Sequence, residues 1–173
     1  MQVFRHYENL PDEVRGSSIA IGNFDGVHLG HRAVIGEAGR IAHGQNIPWT
    51  VLSFEPHPRS FFNPNNEAFR LTPFRTKAHH IGELGVDNLF VLHFDKYFAA
   101  MSAGDFVTKV LVEGLGARHV VSGYDFVFGN KRAGNCGLLL QKGKEQGFDF
   151  TCVSAVDNGE IVYSSTGIRD CLK

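Results

Sequence analysis

Apolar runs of strand length alternate along this chain with segments whose apolar positions recur at helical spacing. Ser18 to Gly22, Trp49 to Phe54, Asn88 to Phe94, His119 to Ser122 and Phe148 to Val156 read as strands. Leu29 to Ala42, Phe74 to Glu83, Ser102 to Leu115 and Gly137 to Glu145 read as helices, the first with the stripe Leu29, Ala33, Ile35, Ala38 and Ile41. Gly85, Gly116 and Gly147 stand where helices stop. Repeated strand, helix and strand implies right-handed crossovers, and hence an α/β, doubly wound, mainly parallel sheet with helices on both faces. Asp157-Asn158-Gly159 predicts a hairpin turn joining Thr151 to Val156 with Glu160 to Tyr163, a small antiparallel addition. Pro56 to Thr72 and Gly123 to Gly134 fit neither period, and loops that long in a compact domain are more often functional than idle.

Composition narrows the class. With 173 residues, 43% of them hydrophobic, the chain predicts one domain over residues 1–173 with a substantial core. A formal net charge of -1 and no basic run beyond two residues argue against a nucleic-acid or membrane footprint and favour small-molecule chemistry. Cys136, Cys152 and Cys171 are odd in number, widely spaced and without a CxxC, which points to a reducing compartment rather than a disulfide framework or zinc ribbon. The N-terminus lacks a signal-type apolar region and no apolar run spans a bilayer, so a cytoplasmic location is expected.

Candidate chemistry concentrates where the first strand meets the first helix. Ile21-Gly22-Asn23-Phe24-Asp25-Gly26-Val27-His28-Leu29-Gly30-His31 passes from strand through a glycine turn to two histidines at a helix start. Unpaired N–H groups there carry partial positive charge, and imidazoles at i and i+3 share a face, so the segment suits a polyphosphate. Gly30, without a side chain, allows close approach to the backbone. The alternatives are a solvated helix start or a zinc half-site, although zinc pairs on helices favour i, i+4 and no third ligand lies nearby.

A second helix start, Ser164-Ser165-Thr166-Gly167-Ile168-Arg169, reads alone as an ordinary cap. Beside the histidines, its hydroxyls and Arg fork suit the outer phosphates of a triphosphate. Between the two motifs lie Ser53-Phe54-Glu55-Pro56-His57-Pro58-Arg59, Arg70-Leu71-Thr72-Pro73 and Gly123-Tyr124-Asp125-Phe126-Val127-Phe128-Gly129. Phe54 and Phe126 fall at strand-end alternation positions and are expected in the core. Phe62 and Phe128 sit within loops, where a ring can stack on a flat heteroaromatic ligand.

His28-Leu29-Gly30-His31 resembles the HxGH signature of nucleotidyltransferases, in the form found in bacterial FAD synthetases. Ser164 to Arg169 resembles the accompanying ISSTxxR motif, with Gly167 at a variable position where many relatives carry Arg. The resemblance runs from Gly16 to Lys173 with the motifs in the family's order. It implies a Rossmann-like fold and the transfer of the adenylyl group of ATP to FMN, giving FAD and pyrophosphate with Mg²⁺ as cofactor. By the same resemblance, His28, His31 and Arg169 are catalytic, and Gly22, Phe24, Gly30, Asp125, Ser165 and Thr166 meet ATP. Pro58, Phe62, Phe106 and Phe128 face the flavin, although Phe106 also fits the apolar stripe Phe106, Val110, Leu111 of a helix. Asp25 either orients the metal shell or caps the turn. A riboflavin kinase domain, which normally follows, is expected as a partner if the chain is an excised fragment. The rivals are an HxGH transferase for another mononucleotide and a non-catalytic flavin-binding module.

Overall fold

A computed structural model describes residues 1–65, 70–159 and 161–172. The chain begins with β1 (Gln2–Phe4) and β2 (Ser18–Ile21), followed by α1 (Leu29–Gln45) and β3 (Trp49–Glu55). Next come α2 (Pro58–Phe62), α3 (Phe74–Glu83), β4 (Asn88–His93), α4 (Lys96–Ala100) and the single turn α5 (Ala103–Asp105), which continues as a π-helix over Phe106–Gly114. The last elements are β5 (His119–Gly123), α6 (Cys136–Gln146), β6 (Asp149–Val153) and α7 (Ser165–Cys171). No helix among the described residues is long and apolar enough to cross a membrane.

Among the described residues six strands form one all-parallel sheet, in the order β1-β4-β3-β2-β5-β6. The chain winds outward from β2 through β3 to β4, then returns to lay β5 on the other side of β2. This doubly wound arrangement is the Rossmann-like fold, and it opens a crevice beyond the carboxyl ends of β2 and β5 where winding reverses.

Period-two alternation builds a core on each face of the sheet. Ile19, Ile21, Leu52, Phe54, Phe90, Leu92 and Val120 point to one side and pack with Val107, Val110 and Leu111 of the π-helix and Leu139 of α6. Ala20, Val51, Leu89, Val91 and Val121 point to the other and pack with Val34, Ile35, Ala38 and Ile41 of α1 and Ile81 of α3. Gly39 lets α1 lie close on the sheet, since a Cβ there would come within 2.6 Å of the Trp49 ring. The Trp49 indole N–H is satisfied by the carbonyl of Ile35 at 3.0 Å.

Several expectations are corrected. Leu29 is exposed, and the buried stripe of α1 begins at Val34. Ser102 to Leu115 is wider than an α-helix, with the N–H of Leu115 reaching back to the carbonyl of Val110 at 2.9 Å. Buried Phe106, Val107, Val110 and Leu111 satisfy either helix type, so their spacing does not distinguish them. Phe148 to Val156 shortens to β6, and Thr151 to Val153 pairs in parallel with β5 rather than forming a hairpin arm. In place of that hairpin, the described residues show an antiparallel Asp157–Val162 bridge and a 2.9 Å bond from Tyr163 N–H to the Val156 carbonyl; Glu160 lies outside the described residues. Pro56 to Thr72 contains α2, capped by His57 Nδ1 accepting from the Arg59 N–H at 3.1 Å; residues 66–69 of that stretch lie outside the described residues.

Candidate active site

The turn after β2 is shaped by left-handed backbone. Phe24 has φ of 52° and Val27 a φ of 40°, a region β-branched residues rarely enter. Gly22 accommodates the resulting fold-back, for a Cβ there would lie 3.0 Å from the Phe24 ring. The Phe24 ring is buried and meets His31 edge-on, with centroids 5.4 Å apart at 88°. Its side chain therefore supports the histidine from beneath, at the margin of the cleft it helps to line.

Asp25 ties three parts of the chain together. Its buried carboxylate accepts from the N–H groups of Leu71 at 3.1 Å and Thr72 at 3.0 Å, from the Thr72 hydroxyl at 3.3 Å, and from the Arg169 guanidinium. Its own carbonyl accepts from the Ser165 hydroxyl at 2.8 Å. The Thr72 hydroxyl in turn accepts from the N–H of Gly26 at 3.0 Å. Burial pushes the Asp25 carboxyl up, but the Leu71 and Thr72 N–H groups and Arg169 outweigh it and hold the carboxyl below the usual range. These contacts favour the turn-capping role for Asp25.

His28 caps α1, and its Nδ1 accepts from the N–H of His31 at 3.3 Å, which places the ring proton of the neutral form on Nε2. The two rings stack with centroids 3.6 Å apart and 24° between planes. Gly30 makes room for this, since a Cβ would lie 3.0 Å from the His28 ring and 3.1 Å from the Tyr163 carbonyl. Burial, followed by the neighbouring His28, pushes His31 down to about 3. Burial also lowers His28, opposed by Asp125 and Asp25. The free site therefore holds two neutral imidazoles, and His31 Nδ1 is buried without a hydrogen-bond partner among the described residues.

Beneath the turn lies a cation that sequence reasoning missed. Lys77 of α3 is buried, and its ammonium donates to the Asn23 carbonyl at 3.3 Å, the Ser53 hydroxyl at 3.1 Å and Glu55 at 3.0 Å. Glu55 also pairs with Arg70. Burial lowers the Lys77 ammonium, and Glu55 opposes that shift. His57 was missed as well; burial brings it down to about 4. No local pattern marks Lys77, whereas His57 stands inside the Ser53 to Arg59 motif without a role of its own there.

A cleft of ≈ 830 Å³ opens over these groups and has two chemically different ends. One end gathers His28, His31, Asp125, Ser165, Thr166 and Arg169, together with Gly22 and Gly30. The other is aromatic, lined by Pro58, Phe62, Phe106 and Phe128 together with Phe94 and Phe98. Phe62 is 62% exposed and rests edge-on against Phe94 at 5.9 Å. Phe128 corrects the expectation of an exposed loop ring: it is buried against Phe106 at 5.2 Å and stacks on the less buried Phe126 at 5.6 Å. An antiparallel bridge to Gly134 turns it inward, and a Cβ at Gly134 would lie 2.5 Å from its ring. Phe106 is 2% exposed and belongs to the core that forms the cleft floor. Among the described residues no cluster of three or more His, Cys, Asp or Glu side chains is arranged to hold a metal ion.

Two bifunctional riboflavin kinase/FMN adenylyltransferases resemble the chain: that of Pseudomonas fluorescens is 40% identical over 172 residues, and that of Escherichia coli (strain K12) is 38% identical over 175. Each alignment covers 99% of this chain and 55% of the relative, so the chain spans about half the length of these relatives. Among solved structures, one described as a macrolide-efflux protein from Streptococcus pneumoniae superposes with a TM-score of 0.82 at 22% identity, covering 98% of this chain and 54% of that one. Pantoate-beta-alanine ligase from Francisella tularensis gives 0.64 at 15% identity, covering 98% and 73%. At those identities the likeness shows the fold alone. The profile of the FAD synthetase family matches residues 10–167, and the chain belongs to that family.

Proposed function

We propose that this domain transfers the adenylyl group of ATP to FMN, producing FAD and pyrophosphate. The observation that carries the reading is the two-ended cleft at the point where the sheet reverses its winding: polar groups fit polyphosphate and an aromatic end fits isoalloxazine. An FMN phosphate oxygen attacks the α-phosphorus of ATP, a new P–O bond forms, and the bond to the β-phosphate oxygen breaks with pyrophosphate leaving. The nucleophile is already an anion, so the protein's task is alignment and charge stabilisation. His28 and His31 donate to the α-phosphate oxygens as charge builds there. Arg169, Ser165 and Thr166 hold the outer phosphates, Asp125 lies on the ATP side, and Gly22, Phe24 and Gly30 shape its seat. Pro58, Phe62, Phe106 and Phe128 form the flavin end.

A divalent ion, Mg²⁺ by this reading, would be carried by the nucleotide as Mg-ATP and would supply charge neutralisation on the phosphates. The oxygens of Asp25 already serve Leu71, Thr72 and Arg169, so a dedicated protein cage at Asp25 does not fit the arrangement. The reading also places the protein in the cytoplasm, where ATP is supplied. The test is direct: purified protein incubated with Mg-ATP and FMN should release FAD and pyrophosphate in equal amounts, resolved by chromatography. Adenylylation of a different mononucleotide but not FMN would replace the reading, and FMN binding without turnover would reduce it to a flavin-binding module.

A further inference from the structure

Two of the three cysteines meet behind the cleft. Cys136 opens α6, and Cys152 lies on β6 in register with Ser122 of β5. Their sulfurs stand 3.0 Å apart, and Cys152 is exposed while Cys136 is half-buried, so a small reagent reaches the pair from solvent. A disulfide holds its sulfurs at ~2.05 Å, leaving about 1 Å of travel between the thiols and a bond. The Cys136 thiol also faces the carbonyls of Gly123 at 3.4 Å and Tyr124 at 3.9 Å. The N–H of Tyr124 donates to the carbonyl of Val153, next to Cys152, at 2.9 Å. The pair thus supports the turn that carries Tyr124 and Asp125 into the cleft wall.

We propose that Cys136 and Cys152 form a reversible dithiol site, oxidised to an intramolecular disulfide by exchange with a low-molecular-weight disulfide, and that this oxidation weakens the nucleotide end of the cleft. The Cys152 thiolate attacks one sulfur of the reagent, forming a mixed disulfide and expelling one thiolate, which takes up a proton. The Cys136 thiolate then attacks Cys152 Sγ and expels the second. Two protein thiols lose two electrons and two protons, and the reagent becomes two thiols. Oxidation removes the S–H that faces the Gly123 and Tyr124 carbonyls, loosening the turn that bears Asp125. Burial and the adjoining Cys136 thiol push Cys152 up to about 11. Exchange therefore accelerates by about tenfold per pH unit through the neutral range, because only the thiolate reacts.

The effect on ATP rests on the adenylyl-transfer reading, whereas the thiol chemistry does not. Protein incubated with oxidised glutathione should fall from three free thiols to one. Mass spectrometry of a non-reduced digest should find Cys136 linked to Cys152, and dithiothreitol should restore both thiols. The KM for ATP of the oxidised protein should rise by about threefold or more, the scale of one lost hydrogen bond. Cys152→Ser should show no such change on oxidation. Absence of the linked peptide overturns the site, as does an unchanged KM in protein shown to be oxidised. If the reduced protein makes no FAD, the functional reading fails, while the linked peptide and its reversal still decide the thiol site.

Discussion

The two stacked histidines of the glycine turn are held neutral by burial, which suits the donor role proposed for them. With rings 3.6 Å apart and His31 held at about 3, protonation of either raises the cost of protonating the other. Unfolded, His31 returns to 6.5, so between that value and about 3 the unfolded chain binds more protons than the folded one. The contribution to stability is complete above pH 6.5 and is lost progressively as pH falls. Urea midpoints should therefore drop from pH 7.5 to pH 5, and His31→Gln should flatten that dependence. Replacing either His28 or His31 by Ala should lower kcat by about two orders of magnitude with little change in FMN binding. Normal FAD production by both variants would remove them from the chemistry. This pair was legible in the sequence because its chemistry-bearing groups are contiguous. Lys77, His57, Phe94 and Phe98 were not, since β3, α3 and α4 bring them to the site only in the folded chain.

At the scale of elements, the strands were legible as apolar runs because buried parallel strands need apolar residues on both faces. β1 escaped notice because it has three residues, two of them exposed. The glycines of α1 show how much of a helix's behaviour is set by what it faces. Gly39 lies beneath Trp49, and a Cβ would enter its ring at 2.6 Å, whereas a Cβ at Gly36 would meet nothing within 4 Å among the described residues. Gly39→Ala should destabilise the domain by about 1–3 kcal/mol through overpacking. Gly36→Ala should stabilise it by about 0.5–1 kcal/mol, since Ala loses less backbone entropy in a helix. Denaturant titrations of both variants check the pair, and equal effects would refute the packing argument. The same contrast separates the cleft's aromatics. Phe128→Ala should cost about 3–5 kcal/mol as a core truncation. Phe62→Ala should leave stability within about 0.5 kcal/mol and weaken FMN alone, read by recovery of flavin fluorescence.

Across the whole molecule, one ion pair holds the first motif to the last. Asp25 and Arg169 are 144 residues apart in sequence, and their side chains are only 5% and 16% exposed. Removing one partner of so buried a pair strands the other, so Arg169→Ala should cost about 3 kcal/mol of stability at neutral pH. By the proposed mechanism it should also raise the KM for ATP by an order of magnitude or more while sparing FMN. The structural half of that loss has its own pH signature. Asp25 is held below its ordinary 3.8, so the pair's contribution is present above that value and is lost as pH falls through the lower folded value. The stability gap between wild type and Arg169→Ala should thus stay constant from pH 7 to pH 5, while His31 lowers both proteins together, and should narrow only below about pH 4. Chemical denaturation across that range measures the gap directly. A gap that closes near pH 6 would assign the stabilisation to the histidines, and no gap at any pH would mean that the C-terminal helix is held to the glycine turn by other contacts.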